Sequence, residues 1–128
     1  MATYLSTEEL SRFESRLIAM RNELQAQIAS EQKEVEQFTQ DQADEFASQH
    51  NADLATDVFE TERAIGTKIA SESELEAVEQ ALERMKAGSY GICVQCGQPI
   101  PKERLEARPQ AIRCLKDEQL WEASGRRA

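Results

Sequence analysis

The sequence predicts a mostly α-helical protein, a long antiparallel hairpin of two helices in coiled-coil contact, closed by a small cysteine-bearing head and a C-terminal helix. Three observations carry that expectation. Helix formers (Ala, Glu, Gln, Leu, Arg) dominate the 128 residues, with only five glycines and three prolines, and every proline lies at or beyond Pro99. Two stretches before Gly88 repeat apolar residues at helical steps of three and four. All three cysteines fall in the short segment after them, where the pattern changes abruptly.

The first helix begins at Ser6-Thr7-Glu8-Glu9, a capping box in which the Ser6 hydroxyl accepts from the Glu9 amide while the Glu9 carboxylate reaches back. Leu10, Phe13, Leu17, Met20 and Leu24, then Ile28, Val35 and Phe38, form the seam of a helix packed along a partner. From Gln37 to Asp53 the chain turns polar and acidic, and the turn is placed between Ser48 and Asp53. Val58, Ile65, Ile69, Leu75, Val78, Leu82 and Met85 are the expected stripe of the returning arm, which ends where Gly88 can take a left-handed conformation. Arms of about 40 and about 33 residues span roughly 50–60 Å at 1.5 Å per residue. With 5% aromatic and 30% charged residues, an elongated shape is expected rather than a large round core. The hairpin is assigned to residues 1–88 with its tip near 48–55, and the head with the C-terminal helix to 89–128.

In the head, Gln98-Pro99-Ile100 suits a short ribbon turn, and Pro101 suits the first position of a short helix through Ala107, which Pro109 ends. A last helix from about Cys114 to Ser124 uses Leu115, Leu120 and Trp121 as apolar anchors. Cys93-Val-Gln-Cys96-Gly97 and Cys114-Leu-Lys-Asp117 each hold their outer ligand candidates three apart, so that two tight turns can aim four side chains at one point. This reads as a zinc site of Cys93, Cys96, Cys114 and Asp117, with one thiolate exchanged for a carboxylate. A CxxC redox pair with a spare thiol, and a fold without metal, are the other readings these residues allow. Three thiolates, one carboxylate and Zn²⁺ sum to a formal charge of −2, and the hard oxygen in place of a soft sulfur implies weaker zinc retention.

A net charge of −9 opposes binding to a phosphate backbone and suits a basic protein partner. No apolar run approaches the roughly 20 residues of a membrane span, and the N-terminus Met-Ala-Thr-Tyr-Leu-Ser lacks the features of a signal peptide, so a cytoplasmic protein is expected. No nucleophile triad or Gly-rich phosphate loop occurs, and His50, the lone histidine, is far in sequence from every cysteine. The protein is therefore expected not to be an enzyme.

The segment Tyr90-Gly-Ile-Cys93-Val-Gln-Cys96-Gly97, followed by Ile100-Pro-Lys-Glu-Arg104-Leu-Glu-Ala-Arg108-Pro109 and Cys114, resembles the DksA/TraR family of bacterial transcription regulators. The resemblance covers the second arm and the head through its motifs, and the first arm only through helical character. It implies a hairpin inserted into the secondary channel of bacterial RNA polymerase, where an acidic tip modulates initiation without direct sequence-specific DNA binding. The family's tip pattern Asp-x-x-Asp-x-Ala falls on His50-Asn51-Ala52-Asp53-Leu54-Ala55, matching at Asp53 and Ala55 but not at His50. The resemblance thus implies Asp53 as the tip carboxylate and Ala55 as the residue that leaves it clearance, while a plain N-cap of the second arm is the local alternative for Asp53. Basic residues by which relatives bind the stringent-response alarmone ppGpp are here Ala70, Ala77 and Glu118, which argues against ready cooperation with ppGpp.

Other functions remain open at this level. A transcript-cleavage role of the Gre type needs adjacent tip acids, which Asn51, Ala52, Leu54 and Ala55 around Asp53 do not supply. A thiol redox sensor through Cys93 and Cys96 is compatible with the same head, and a coiled-coil adaptor with a structural zinc site is the plainest alternative. A monomer presents the tip whereas an oligomer of hairpins hides it, so a monomer is expected.

Overall fold

A computed structural model describes residues 2–48 and 54–125, with the side chains of residues 42, 44–48 and 54–57 outside that description. Four helices follow in order: α1 (Thr7–Ser48), α2 (Leu54–Lys86), α3 (Lys102–Ala107) and α4 (Leu115–Ala123). The only β pairing among the described residues is an isolated antiparallel bridge between Ile92 and Pro99, to which the expected ribbon reduces. No helix among them is long and apolar enough to cross a membrane.

Local sequence explains both ends of the hairpin that are described. The Ser6 amide donates to Glu9 Oε1 at 2.9 Å and the Glu9 amide to Ser6 Oγ at 3.1 Å, the reciprocal pair of a capping box. At the far end of α2, the Ser89 amide donates to the Arg84 carbonyl (2.9 Å) and the Gly88 amide to the Met85 carbonyl (3.2 Å), with Gly88 at φ 77°. These are the two bonds of a Schellman stop, and the positive φ is why glycine ends the arm.

The described chain groups into two compact units, residues 1–21 with 76–128, and residues 22–75. In the first unit, Phe13 and Leu17 from α1 and Val78 and Ala81 from α2 are buried, as are Tyr90, Ile92, Ile100 and Leu105 of the head. Full burial of a side chain of the size of Leu17 or Phe13 stabilises by roughly 1.5–3 kcal/mol. The Phe13 and Tyr90 rings meet in a tilted pair, centroids 5.8 Å apart. Ion pairs surround this core: Lys102 Nζ lies 2.7 Å from Glu9, and Glu106 takes Arg12 at 2.6 Å and Arg16 at 3.3 Å. Pro101 stands at the cap of α3, one residue earlier than the first helical position expected for it.

In the second unit, α1 supplies half-buried Leu24, Ile28, Val35 and Phe38, as the sequence pattern implies. The α2 stripe needs correction there. Thr61, Ala64 and Ser71 are the buried positions, whereas Val58, Ile65 and Ile69 are exposed. The larger apolar side chains on this seam come from α1, and the α2 positions buried beside them are small or polar, which leaves the branched residues of α2 more exposed. Leu75 is half-buried at the end of this unit, and in the first unit the expected Val78, Leu82 and Met85 are buried or half-buried. A second correction concerns α4, in which Leu115 and Leu120 are exposed and no residue is buried. Of its three expected apolar anchors only Trp121 is half-buried, and the Arg113 guanidinium rests on its ring at 4.2 Å.

His50 and Asp53 lie outside the described residues; Ala55 lies in the first turn of α2 with its side chain outside the description.

Candidate metal centre

The two ligand turns are built differently. The first is a loop in which the Cys93 amide donates to the Gln98 carbonyl (2.8 Å) and the Gly97 amide returns to the Cys93 carbonyl (3.0 Å), with Gly97 at φ 72°. That positive φ folds the backbone back beneath the sulfurs, a conformation strained for a residue with a Cβ. The second turn is the start of α4. Cys114 is its N-cap, with extended backbone (φ −66°, ψ 164°), and Asp117 is its third helical residue. An acid in the first turn is favoured by the helix dipole, so the same carboxylate has a local reason to be there and a place in the site.

Tertiary ties hold the two turns together. The Val94 amide donates to the Ile112 carbonyl at 2.9 Å, and Arg104 Nε donates to the Arg113 carbonyl at 3.0 Å. The buried Tyr90 hydroxyl donates to the Pro109 carbonyl at 2.7 Å, and burial pushes its phenol well above the ordinary range. The Tyr4 hydroxyl donates to the Ile100 carbonyl. Gly91 (φ 88°) sits so close to Leu5 that an added Cβ would lie 3.2 Å from its Cδ1. None of these ties was anticipated from periodicity, although Tyr90, Arg104 and Pro109 stand inside the run Tyr90 to Pro109 that carries the family resemblance.

The outcome is convergence. One donor atom from each of Cys93, Cys96, Cys114 and Asp117 lies within 4.8 Å of every other. Asp117 Oδ2 accepts from the Cys93 thiol at 3.1 Å and from the Cys114 thiol at 3.2 Å. Around a tetrahedral zinc with bonds of ~2.0–2.3 Å, neighbouring donors stand about 3.5–3.8 Å apart, so the widest pairs would close by about 1 Å and the Asp117 oxygen would move out from the two sulfurs by a few tenths of an ångström. Cys93 is buried, Cys114 half-buried and Cys96 exposed, giving the site one open side.

Electrostatics of the four groups are interdependent. Burial disfavours the Cys93 thiolate, but backbone hydrogen bonds from Cys96, Cys114 and Gln95 outweigh it, and that thiol lies below the ordinary range. At Cys96 the backbone at Gln98 favours the thiolate, yet Asp117, burial and the two other thiols prevail and push it up to about 11. Hydrogen bonds from the thiols of Cys93, Cys114 and Cys96 hold the Asp117 carboxyl below its usual value. The Cys93 and Cys114 thiols converge on the same Asp117 oxygen, and a zinc ion held by these four residues would replace those hydrogen bonds by bonds to itself. Donor number, donor type and spacing all fit zinc.

Residues 88–116 match the prokaryotic dksA/traR C4-type zinc finger. The RNA polymerase-binding transcription factor DksA of Caulobacter vibrioides is 30% identical over 121 residues, covering 93% of this chain and 80% of that protein. The chain belongs to the DksA/TraR family. General stress protein 16O of Bacillus subtilis is 36% identical over 109 residues, covering 84% of this chain. This chain spans 64% of that relative's length. Among solved structures, transcription factor DksA2 from Pseudomonas aeruginosa superposes with a TM-score of 0.74 at 28% identity, covering 97% of this chain and 91% of that one. The DksA/TraR finger is described as four-cysteine, whereas this member has three cysteines and Asp117, which lies just beyond the matched stretch.

Proposed function

We propose that this chain is an RNA polymerase-binding transcription factor that acts from the polymerase's secondary channel through an acidic hairpin tip. The observation that carries the reading is likeness over the full length. The hairpin and cysteine head together resemble DksA2 along 97% of this chain, and the Caulobacter relative is an RNA polymerase-binding factor. A zinc ion held by Cys93, Cys96, Cys114 and Asp117 would supply a cross-link between the knuckle and the start of α4. The residues of the head do the rest, with Tyr90, Arg104 and Val94 orienting the second ligand turn against the first.

In this reading the protein is a cytoplasmic, monomeric, non-enzymatic regulator with no direct sequence-specific contact to DNA. Asp53 supplies charge near the polymerase catalytic centre and Ala55 leaves it room. The head and the arms provide grip, because they offer most of the contact area, while the tip offers little area but one aimed charge. Asp53→Asn separates these roles, since the amide is nearly isosteric and still caps a helix. Expected are near-parental binding to purified polymerase and loss of the effect on initiation at a ribosomal-RNA-type promoter in vitro. Full regulation by Asp53→Asn removes the tip mechanism, and absence of polymerase binding by the parent protein removes the reading as a whole.

A further inference from the structure

In the unit of residues 22–75, α1 turns apolar residues inward but α2 buries small and polar ones. The interhelical positions on α2 are small or polar, Thr61, Ala64 and Ser71, and the facing position on α1 is Glu31, 6% exposed. Glu31 Oε2 accepts from Ser71 Oγ at 3.2 Å, Gln27 Nε2 donates to the same hydroxyl at 3.2 Å, and Glu31 Oε1 is buried with no partner among the described residues. Meanwhile Val58, Ile65 and Ile69 stand on the outside, 39%, 39% and 60% exposed. Spaced by seven and four, they fall on one face of α2 and make a ridge. Glu62 interrupts it on the same face, and the 61% exposed Phe59 lies alongside with the Arg63 guanidinium over its ring at 5.3 Å.

Charge is distributed as unevenly. Residues 22–75 hold thirteen Asp and Glu against three Lys and Arg, a net −10. The remaining chain holds eleven against twelve, a net +1. The whole acidic excess of the protein therefore sits in the unit that bears the ridge. A second copy would bring −10 against −10 across such a contact, which opposes self-association at ordinary salt. A surface that is basic around an apolar centre satisfies both features.

We infer that the outer face of α2, Val58, Ile65 and Ile69 with Glu62 among them, is a docking ridge for a basic protein surface that carries an apolar patch. The inference rests on the polymerase reading and deepens it by assigning a specific contact along the arm, distinct from the tip. Apolar burial of the ridge supplies persistence of the complex, while the surrounding carboxylates speed encounter and make it salt-dependent. Ile69, 60% exposed, gives the hairpin little packing of its own, whereas Val58 and Ile65, 39% exposed, are partly covered and present only part of their side chains to the ridge.

The test is a pair of substitutions, Ile65→Gln with Ile69→Gln, which keep helix formers at both positions and leave the charge unchanged. Binding of the full-length parent and variant to purified bacterial core polymerase is measured at two salt concentrations, with helical melting and sedimentation followed in parallel. Expected are a two-state melt lowered only modestly through the partly covered Ile65, a monomer in both cases, and a loss of affinity of about tenfold or more carried mainly by faster dissociation. Phe59→Ser is a second variant expected to weaken binding less, being to one side. Parental affinity in the Ile65→Gln, Ile69→Gln protein, with the parent binding well, overturns the ridge and leaves the polymerase reading standing. A parent that does not bind overturns both. A parent that sediments as a dimer dispersed by the double substitution overturns the inference in favour of a second copy as the occupant.

Discussion

Glu31 of α1 and Ser71 of α2 form a buried polar contact in the helical seam, the Ser71 hydroxyl donating to the Glu31 carboxylate at 3.2 Å. The other carboxylate oxygen has no partner among the described residues, and an unsatisfied buried acceptor costs about 1–3 kcal/mol.

Replacing that carboxylate by a side chain of similar size should therefore stabilise the hairpin. Glu31→Leu is expected to raise the thermal midpoint by several degrees, corresponding to about 1–2 kcal/mol, while Ser71 keeps its bond from Gln27. Circular dichroism melts of parent and variant check it. A lowered midpoint would mean that the polar layer contributes more to pairing than its missing partner costs.

At the metal centre, freshly reduced protein is expected to carry about one zinc per chain by elemental analysis. Asp117→Cys should slow zinc loss to a chelator, since a soft thiolate replaces a hard oxygen. Asp117→Ala should speed it and free the Cys93 and Cys114 thiols from the acceptor they share. Equal chelation rates in all three proteins would remove Asp117 from the ligand set.

Tyr90→Phe removes one hydroxyl and leaves the ring against Phe13 in place. The Pro109 carbonyl then loses its donor at 2.7 Å, at a cost of about 1–2 kcal/mol. Because Pro109 begins the segment leading to Cys114, the variant should also lose zinc faster than its modest change in melting suggests. Chelator kinetics beside a thermal melt separate the two effects.

Acid dependence should centre on Glu9. Its carboxyl is held down to about 2 by the Lys102 ammonium, with the Ser6 amide and hydroxyl adding to the effect. A depressed carboxyl favours the folded state above its unfolded value near 4.5, and that contribution is lost as pH falls from there toward 2. Lys102 is raised by the same pair, so its contribution is complete at neutral pH and is lost on the alkaline side, through the lysine range. Glu9→Gln should flatten the stability profile between pH 4.5 and 2, and Lys102→Met should do so partly. Urea titrations at stepped pH measure both; an unchanged acid slope in Glu9→Gln would assign it to other carboxylates. Exposure and salt screening keep the effect small.

The parts of the molecule that the sequence by itself determined are those whose causes lie within a few residues. The Ser6–Glu9 capping box starts α1, Gly88 stops α2, and the CxxC and CxxD spacings turn four donors inward, because each depends on a turn of backbone that its own residues favour. The first-arm seam was legible for a similar reason, since Leu10 to Phe38 offer one apolar face. The second arm was not, because it carries two candidate faces. Periodicity places Val58, Ile65 and Ile69 on one and Thr61, Ala64 and Ser71 on another, and apolarity alone favours the first as the inner face. Only the tertiary structure decided otherwise, since the larger side chains of this seam come from α1 and the buried positions of α2 beside them are Thr61, Ala64 and Ser71. The same holds for Leu115 and Leu120, which apolarity alone favours as anchors, whereas the nine-residue α4 leaves both exposed. The distance between the two halves of the metal centre was likewise settled by contacts remote in sequence, Tyr90 to Pro109 and Arg104 to Arg113. Local pattern names the ligands, and packing decides whether they meet.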